Sequence, residues 1–407
     1  MAIALHAHRY LPIAACYFFL NSAGLPLGLF YTTIFSPFLF LWLYLKGRRW
    51  LTTWFFLSLS PFILAHMIDG IAFPFYYLRS LLLLWSVYVA VYAFCWALTK
   101  TKTLDRLFDQ LILLNFCATI LALAIRPTPM RVFLWREEAE AIASTSHLLR
   151  LNLLSMEPSA YANLMLPLLI FAALRLFRDS KHRNLIYLMM IAVPFLLAQS
   201  FGGLSIAVAG LSAALLTSYR RLLSKPKPLA ILVCLAIAAG LILLTSNSIS
   251  ERVFQVAAGG DSSTKSRTIF SFVIAYVVAG SKSLWWGAGF GQAKLVDVSN
   301  LGIGFTVGII PNAVAGTFAD LGLIGVLLRL AVEFIFFFKA RVYLNSFKLA
   351  MFVAAFIVQL TGSYITDVQG YMLWCFAFYP FFPELNLNTH FKPQLRHLSN
   401  RETLECK

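Results

Sequence analysis

Apolar residues run through this chain in long blocks, not in the short alternations of a half-exposed sheet. Stretches nearly free of Asp, Glu, Lys and Arg cover residues 10–45 and 184–219, each long enough for two membrane crossings. Others cover 50–67, 74–98, 107–125, 159–177, 228–245, 312–338, 342–360 and 371–385. A crossing helix needs about 20 apolar residues, because every backbone N–H and C=O must be paired inside hydrocarbon. The pattern therefore predicts an all-α polytopic membrane protein with about twelve transmembrane helices. The polar breaks at 21–24 and 199–203 read as hairpin tips. Residues 1–407 form a single integral membrane domain, without internal repeats of the kind that build many transporters.

Composition narrows the class. Of 407 residues, 60% are hydrophobic and only 12% charged, against about 25% in a soluble chain. The surface must therefore face lipid. Thirty-three Lys and Arg against 17 Asp and Glu give a net charge of +16. In such a chain this excess is a topology signal, and no nucleic-acid partner is expected. Counted over alternate loops, Lys and Arg favour one side by about two to one, which puts both termini in the cytoplasm. Five of the six cysteines lie in apolar runs, and no CxxC or CxxH spacing exists, so neither zinc nor a disulfide framework is expected. The first apolar stretch is far longer than the core of a cleavable signal peptide.

This topology leaves two large extracytoplasmic segments, 126–158 and 246–311. Long loops carry function more often than stability. The first ends in Arg150 and then Met156-Glu157-Pro158-Ser159. Glu157 suits a helix start as an acidic cap, and Arg150 suits either a surface charge or a phosphate ligand, since its planar fork donates two parallel hydrogen bonds. The second contains Asp261-Ser262-Ser263-Thr264-Lys265-Ser266-Arg267 and ends near Trp285-Trp286-Gly287-Ala288-Gly289-Phe290-Gly291. Asp261, Ser262 or Ser263 can cap a short amphipathic helix lying on the membrane, with the two tryptophans at headgroup depth. Lys265 and Arg267 then meet either lipid headgroups or a diphosphate. Within the helices, Arg329 and Glu333 are spaced to pair, and they are expected in the cytoplasmic half, away from the loops. Asp320 falls nearer the outer surface. His66 and His147 are the histidines expected on the outer side, each more often structural than catalytic.

Taken together, Lys265-Ser266-Arg267-Thr268, Trp286 to Gly291, Pro311-Asn312 and Gly322 with Gly325 resemble the O-antigen polymerase/ligase superfamily. Arg150 with the Glu157-Pro158-Ser159 segment resembles that family's Arg-plus-EPS region. The resemblance implies a metal-independent, inverting membrane glycosyltransferase in a bacterial inner membrane. Its donor would be an oligosaccharide on undecaprenyl diphosphate. Its partners would be membrane lipids and the flippase and chain-length regulator of the same pathway. No cofactor is expected. Catalytic candidates are Arg150, Arg267, Glu157 and Asp320. Substrate-binding candidates are Lys265, Lys282, Asn312 and His147. Pro311 stands where the family pattern has histidine, which favours a polymerase over a ligase. A flippase is the non-enzymatic alternative.

Overall fold

A computed structural model describes residues 11–20, 24–25, 29–100, 104–138, 148–179, 181–217, 265–295, 310–362 and 364–385. The expected helix over 228–245, the expected cap at Asp261 to Ser263 and His147 lie outside the described residues. Within them the chain is helical apart from two short antiparallel ribbons. The helices are α1 (Leu11–Ala15), α2 (Tyr31–Leu45), α3 (Leu51–Ile68), α4 (Pro74–Thr99), α5 (Leu104–Ile125) and α6 (Pro158–Arg178). They continue with α7 (His182–Leu197), α8 (Phe201–Thr217), α9 (Ser271–Gly280), α10 (Ala313–Lys339), α11 (Ser346–Thr361) and α12 (Val368–Phe378). By length and composition alone, five of them, α3, α4, α5, α6 and α10, suffice to cross a membrane, although α10 is interrupted at Gly322. Trp54, Leu57 and Leu64 on α3 and Leu327, Phe334 and Phe338 on α10 are exposed. In water such faces would be costly, and against lipid they are not. The protein is a membrane protein.

Local chemistry sets several helix starts. Pro74 and Pro158 occupy the first turns of α4 and α6, where a missing N–H costs nothing. Asn312, Asn345 and Asp367 cap α10, α11 and α12 by accepting backbone N–H bonds. Helix α6 is apolar on nearly every face and is buried along most of its length. Helices α5, α7, α8 and α11 pack around it.

Two features depart from the pattern expected of the sequence. The first segment, 126–158, is not simply a loop. It holds a ribbon of β3 (Trp135–Glu138) with β4 (Leu148–Leu151), in which Arg136 faces Arg150 across the strands. Trp135 anchors the ribbon, buried, with its indole N–H donating to Ala122 O at 2.8 Å. The other ribbon, β1 (Gly24–Leu25) with β2 (Leu29–Phe30), joins α1 to α2.

The second departure is in α10, read from sequence as one span. Gly322 has φ 66 and ψ −166, a break inside the helix. The Arg329 guanidinium donates to Ala313 O at 3.3 Å and to Thr317 Oγ1 at 3.0 Å. In a straight helix those 16 residues would span about 24 Å, out of reach of an arginine. The chain therefore doubles back at Gly322, and the Arg329–Glu333 pair, expected far from the outer loops, sits against the first turn of α10. Gly287 is the matching feature on the other side. Leu323 N bonds Leu284 O at 2.9 Å, and Ala288 N bonds Ala319 O at 2.8 Å, so the glycine-rich loop is stitched to the break. A Cβ on Gly322 would lie 2.3 Å from the Trp285 carbonyl oxygen, and both glycines have positive φ.

Candidate functional site

The site begins at the ribbon. An antiparallel pair that places two arginines opposite each other is electrostatically unfavourable unless an anion joins them. Arg136 and Arg150 both line one cavity of about 190 Å³. Arg136 is exposed and donates to Met156 O at 2.9 Å. Arg150 is buried, and its Nε donates at 3.1 Å to Ala198 O. That carbonyl closes the C-terminal end of α7, where the helix dipole is negative. The contact offsets part of the several kcal/mol that burying a guanidinium costs.

Arg267, more than a hundred residues along the chain, reaches the same cavity from the turn of Ser266–Phe270 that leads into α9. Asn312 holds it there. The Asn312 side-chain NH₂ donates to Arg267 O at 3.0 Å and to Leu360 O at 2.7 Å, while its oxygen accepts from Val314 N and Ala315 N. One amide thus ties the Arg267 backbone to the start of α10 and the end of α11. With both ends of the amide occupied, Asn312 positions Arg267 and has no bonding capacity left for a substrate.

The remaining walls add positive potential and polar contacts. The first turns of α6 (Pro158, Ser159) and α8 (Phe201, Gly202, Gly203) both border the cavity. Helix N-termini carry about half a positive charge and present unpaired N–H groups, a recurrent anion site. Gly203 permits the two helices to meet, since a Cβ there would lie 2.8 Å from the Ala162 side chain. The Asn163 side chain lines the cavity, is 8% exposed, and its Oδ1 has no hydrogen-bond partner among the described residues.

Among the described residues, Glu157 is the one carboxylate of the wall. It accepts from Ser159 Oγ at 3.0 Å and lies 3.9 Å from the Arg267 guanidinium. Both partners of that pair are over a third exposed, so it is worth at most about 1 kcal/mol. It is a loose contact, not a clasp. Glu157 and Arg267 also border a second, smaller cavity of about 50 Å³ with Thr32, Tyr364 and Asp367. Burial pushes the Tyr364 phenol above its ordinary value. Glu157 adds to the rise and Arg267 opposes it. Tyr364 therefore stays neutral at physiological pH and keeps its proton.

Of the sequence candidates, Arg150, Glu157 and Arg267 come together. Four do not line this cavity. Asp320 lies at the α10 break, where its carbonyl accepts from Gly289 N at 3.2 Å. Lys282 donates to Gly70 O between α3 and α4. Lys265 is exposed just before the turn that carries Arg267. Asn312 acts through Arg267. His66 is engaged by Trp286 O at 2.9 Å and the Tyr77 hydroxyl at 3.1 Å, a structural clamp on the glycine-rich loop. Arg136, Asn163 and Tyr364 were missed by sequence reasoning. Arg136 lacked a visible strand register, and the other two are ordinary residues of apolar helices and short turns. Comparison with models of known protein families finds no match, and a search of curated proteins finds none either.

Proposed function

We propose that this protein is a membrane glycosyltransferase that polymerises oligosaccharide units carried on undecaprenyl diphosphate at the outer face of a bacterial inner membrane. The observation that carries this reading is the convergence of Arg136, Arg150 and Arg267 and two helix N-termini on one cavity, with Glu157 beside them. Such a cavity suits a diphosphate whose charge grows as its bond to a sugar breaks. Fixed cations aimed at developing charge in a water-poor site lower the barrier without reorganising. In the reaction, a hydroxyl of the acceptor sugar attacks the anomeric carbon from the face opposite the diphosphate. The carbon–oxygen bond breaks, its electron pair leaves on the lipid diphosphate, and the hydroxyl proton passes to Glu157. The configuration inverts. Asn163 offers a buried amide to sugar hydroxyls. With Asp320 outside the cavity, the base is assigned to Glu157. No metal or cofactor is invoked.

The two termini lie in the cytoplasm in this reading, which puts the ribbon and the second segment outside. A polymerase is preferred over a ligase because Pro311 replaces the histidine of the family pattern. Carbohydrate gels separate the two: loss of a polymerase leaves a single repeat unit attached, and loss of a ligase leaves none.

Arg150→Ala and Arg267→Ala are expected to abolish polymer at unchanged protein level and to weaken binding of inorganic diphosphate. Arg267→Lys is expected to be poor as well, because a point charge cannot reproduce the bidentate fork. Glu157→Gln is expected to lose polymer while retaining diphosphate binding. Normal polymer ladders from both alanine variants would sink the mechanism.

A further inference from the structure

Resting on that reading, we propose that the isoprenoid tail of the donor leaves the cationic cavity past Thr32 and lies in an apolar cleft between α1, α2 and α4. Three cavities stand in series through shared walls. Glu157, Ser159, Arg267 and Gly362 border both the cationic cavity and the smaller one beside it. Thr32, at the start of α2, borders both that smaller cavity and a third of about 100 Å³. The third is walled by Ile13, Leu20, Phe35, Leu39 and Phe94, with no charged residue among the described residues that line it. Polarity thus falls from three guanidinium groups to none along the series. That gradient complements an amphiphile with a doubly charged head and a branched hydrocarbon tail.

Physical chemistry requires such a route. A tail leaving the diphosphate through water would expose every isoprene unit, and the hydrophobic effect opposes that in proportion to length. The tail must reach the bilayer sideways. At the cleft, Phe35 is 39% and Phe38 is 68% exposed, so its rim opens on the surface that faces lipid. A competing sideways exit lies between α7 and α8, where Ser200 and Phe201 border the cationic cavity and a further one. That one holds about 10 Å³, room for no more than a water molecule. The α2 side therefore takes the lipid, and the sugar acceptor approaches from the ribbon side, where Arg136 and Asn163 stand.

The test uses the full-length protein in lipid nanodiscs, with inorganic diphosphate and farnesyl diphosphate as probes. Wild-type protein is expected to bind farnesyl diphosphate at least about tenfold more tightly than inorganic diphosphate. Phe35→Trp, on a half-open rim that tolerates bulk, and Thr32→Trp, at the passage, are expected to remove that preference and leave inorganic diphosphate affinity within about twofold. Arg267→Ala is expected to weaken both probes together. Retained preference in both tryptophan variants, with Arg267→Ala still weak, would place the tail elsewhere and leave the cationic site standing. If farnesyl diphosphate binds no better than inorganic diphosphate in the wild type, the cleft holds ordinary acyl chains and the proposal fails. If neither probe binds, or Arg267→Ala changes nothing, the reading of the cavity itself falls and this inference with it.

Discussion

At the scale of single residues, the opposition of Arg136 and Arg150 is the most informative placement in the molecule. Two guanidinium groups across an antiparallel ribbon repel each other, and the register sets Arg136 opposite Arg150. A stability argument alone would replace one of them. Their common cavity gives the arrangement a purpose, since an anion there can bridge both. The two differ in support. Arg150 is buried against the end of α7, whereas Arg136 is exposed and its loss leaves no buried partner stranded. Arg136→Ala is accordingly expected to weaken inorganic diphosphate binding by about tenfold, the loss of one charge-assisted hydrogen bond. The thermal midpoint should stay within about 1 °C. Titration calorimetry beside a melting curve checks both, and unchanged affinity would remove Arg136 from the site.

At the scale of elements, the doubled-back α10 connects structure to chemistry. Arg329 Nε donates to Glu333 at 3.2 Å and to Gln359 Oε1 at 3.1 Å, and Gln359 Nε2 donates to the other Glu333 oxygen at 3.0 Å. The same guanidinium holds Ala313 O and Thr317, one turn from Asn312, which in turn holds Arg267. Breaking a buried ion pair costs about 3–5 kcal/mol, because the remaining charge is stranded, while replacing both partners with apolar residues of similar size is close to neutral. Arg329→Met is expected to lower the thermal midpoint by several degrees and to cut diphosphate binding through Arg267. Arg329→Met with Glu333→Met should recover most of the stability. Stability recovered without binding would identify Arg329 as a positioning residue. Recovery of neither would mean that the network is not the brace of the break.

At the scale of the whole molecule, the charged clusters divide by the ends of α6. The cationic cavity surrounds its first turn. At its other end Arg175 and Arg183 bond the Asp109 carboxylate at 2.6 and 3.1 Å, clasping α5, α6 and α7. A 21-residue helix separates the two ends by about 31 Å, close to the hydrocarbon thickness of a bilayer. This spacing supports opposite sides of a membrane for the two clusters. In a variant without native cysteines, Arg131→Cys beside the ribbon is expected to react with an impermeant maleimide added to intact spheroplasts. Arg48→Cys, between α2 and α3, is expected to react only after permeabilisation. The reverse pattern would invert the topology and remove the proposed site from the extracytoplasmic face.

The sequence by itself determined that this chain is apolar and helical, roughly where its helices begin and end, and which segments gather arginine. Those properties are local: hydrocarbon demands backbone pairing over a run of neighbours, and caps act within one turn. Glu157 with Pro158 stood out for the same reason, whereas Arg267 with Lys265 stood out as a basic cluster in a long loop and by family resemblance. The rest belongs to the tertiary structure. Four-residue strands are too short to show a period, so the facing of Arg136 and Arg150 is absent from the pattern. The reversal at Gly322 hides inside an apolar run, because hydropathy does not register a backbone angle. Asn163 and Tyr364 gain meaning only from what folds around them. Contact between residues a hundred positions apart is a matter of packing, and packing, not composition, decided which charges meet.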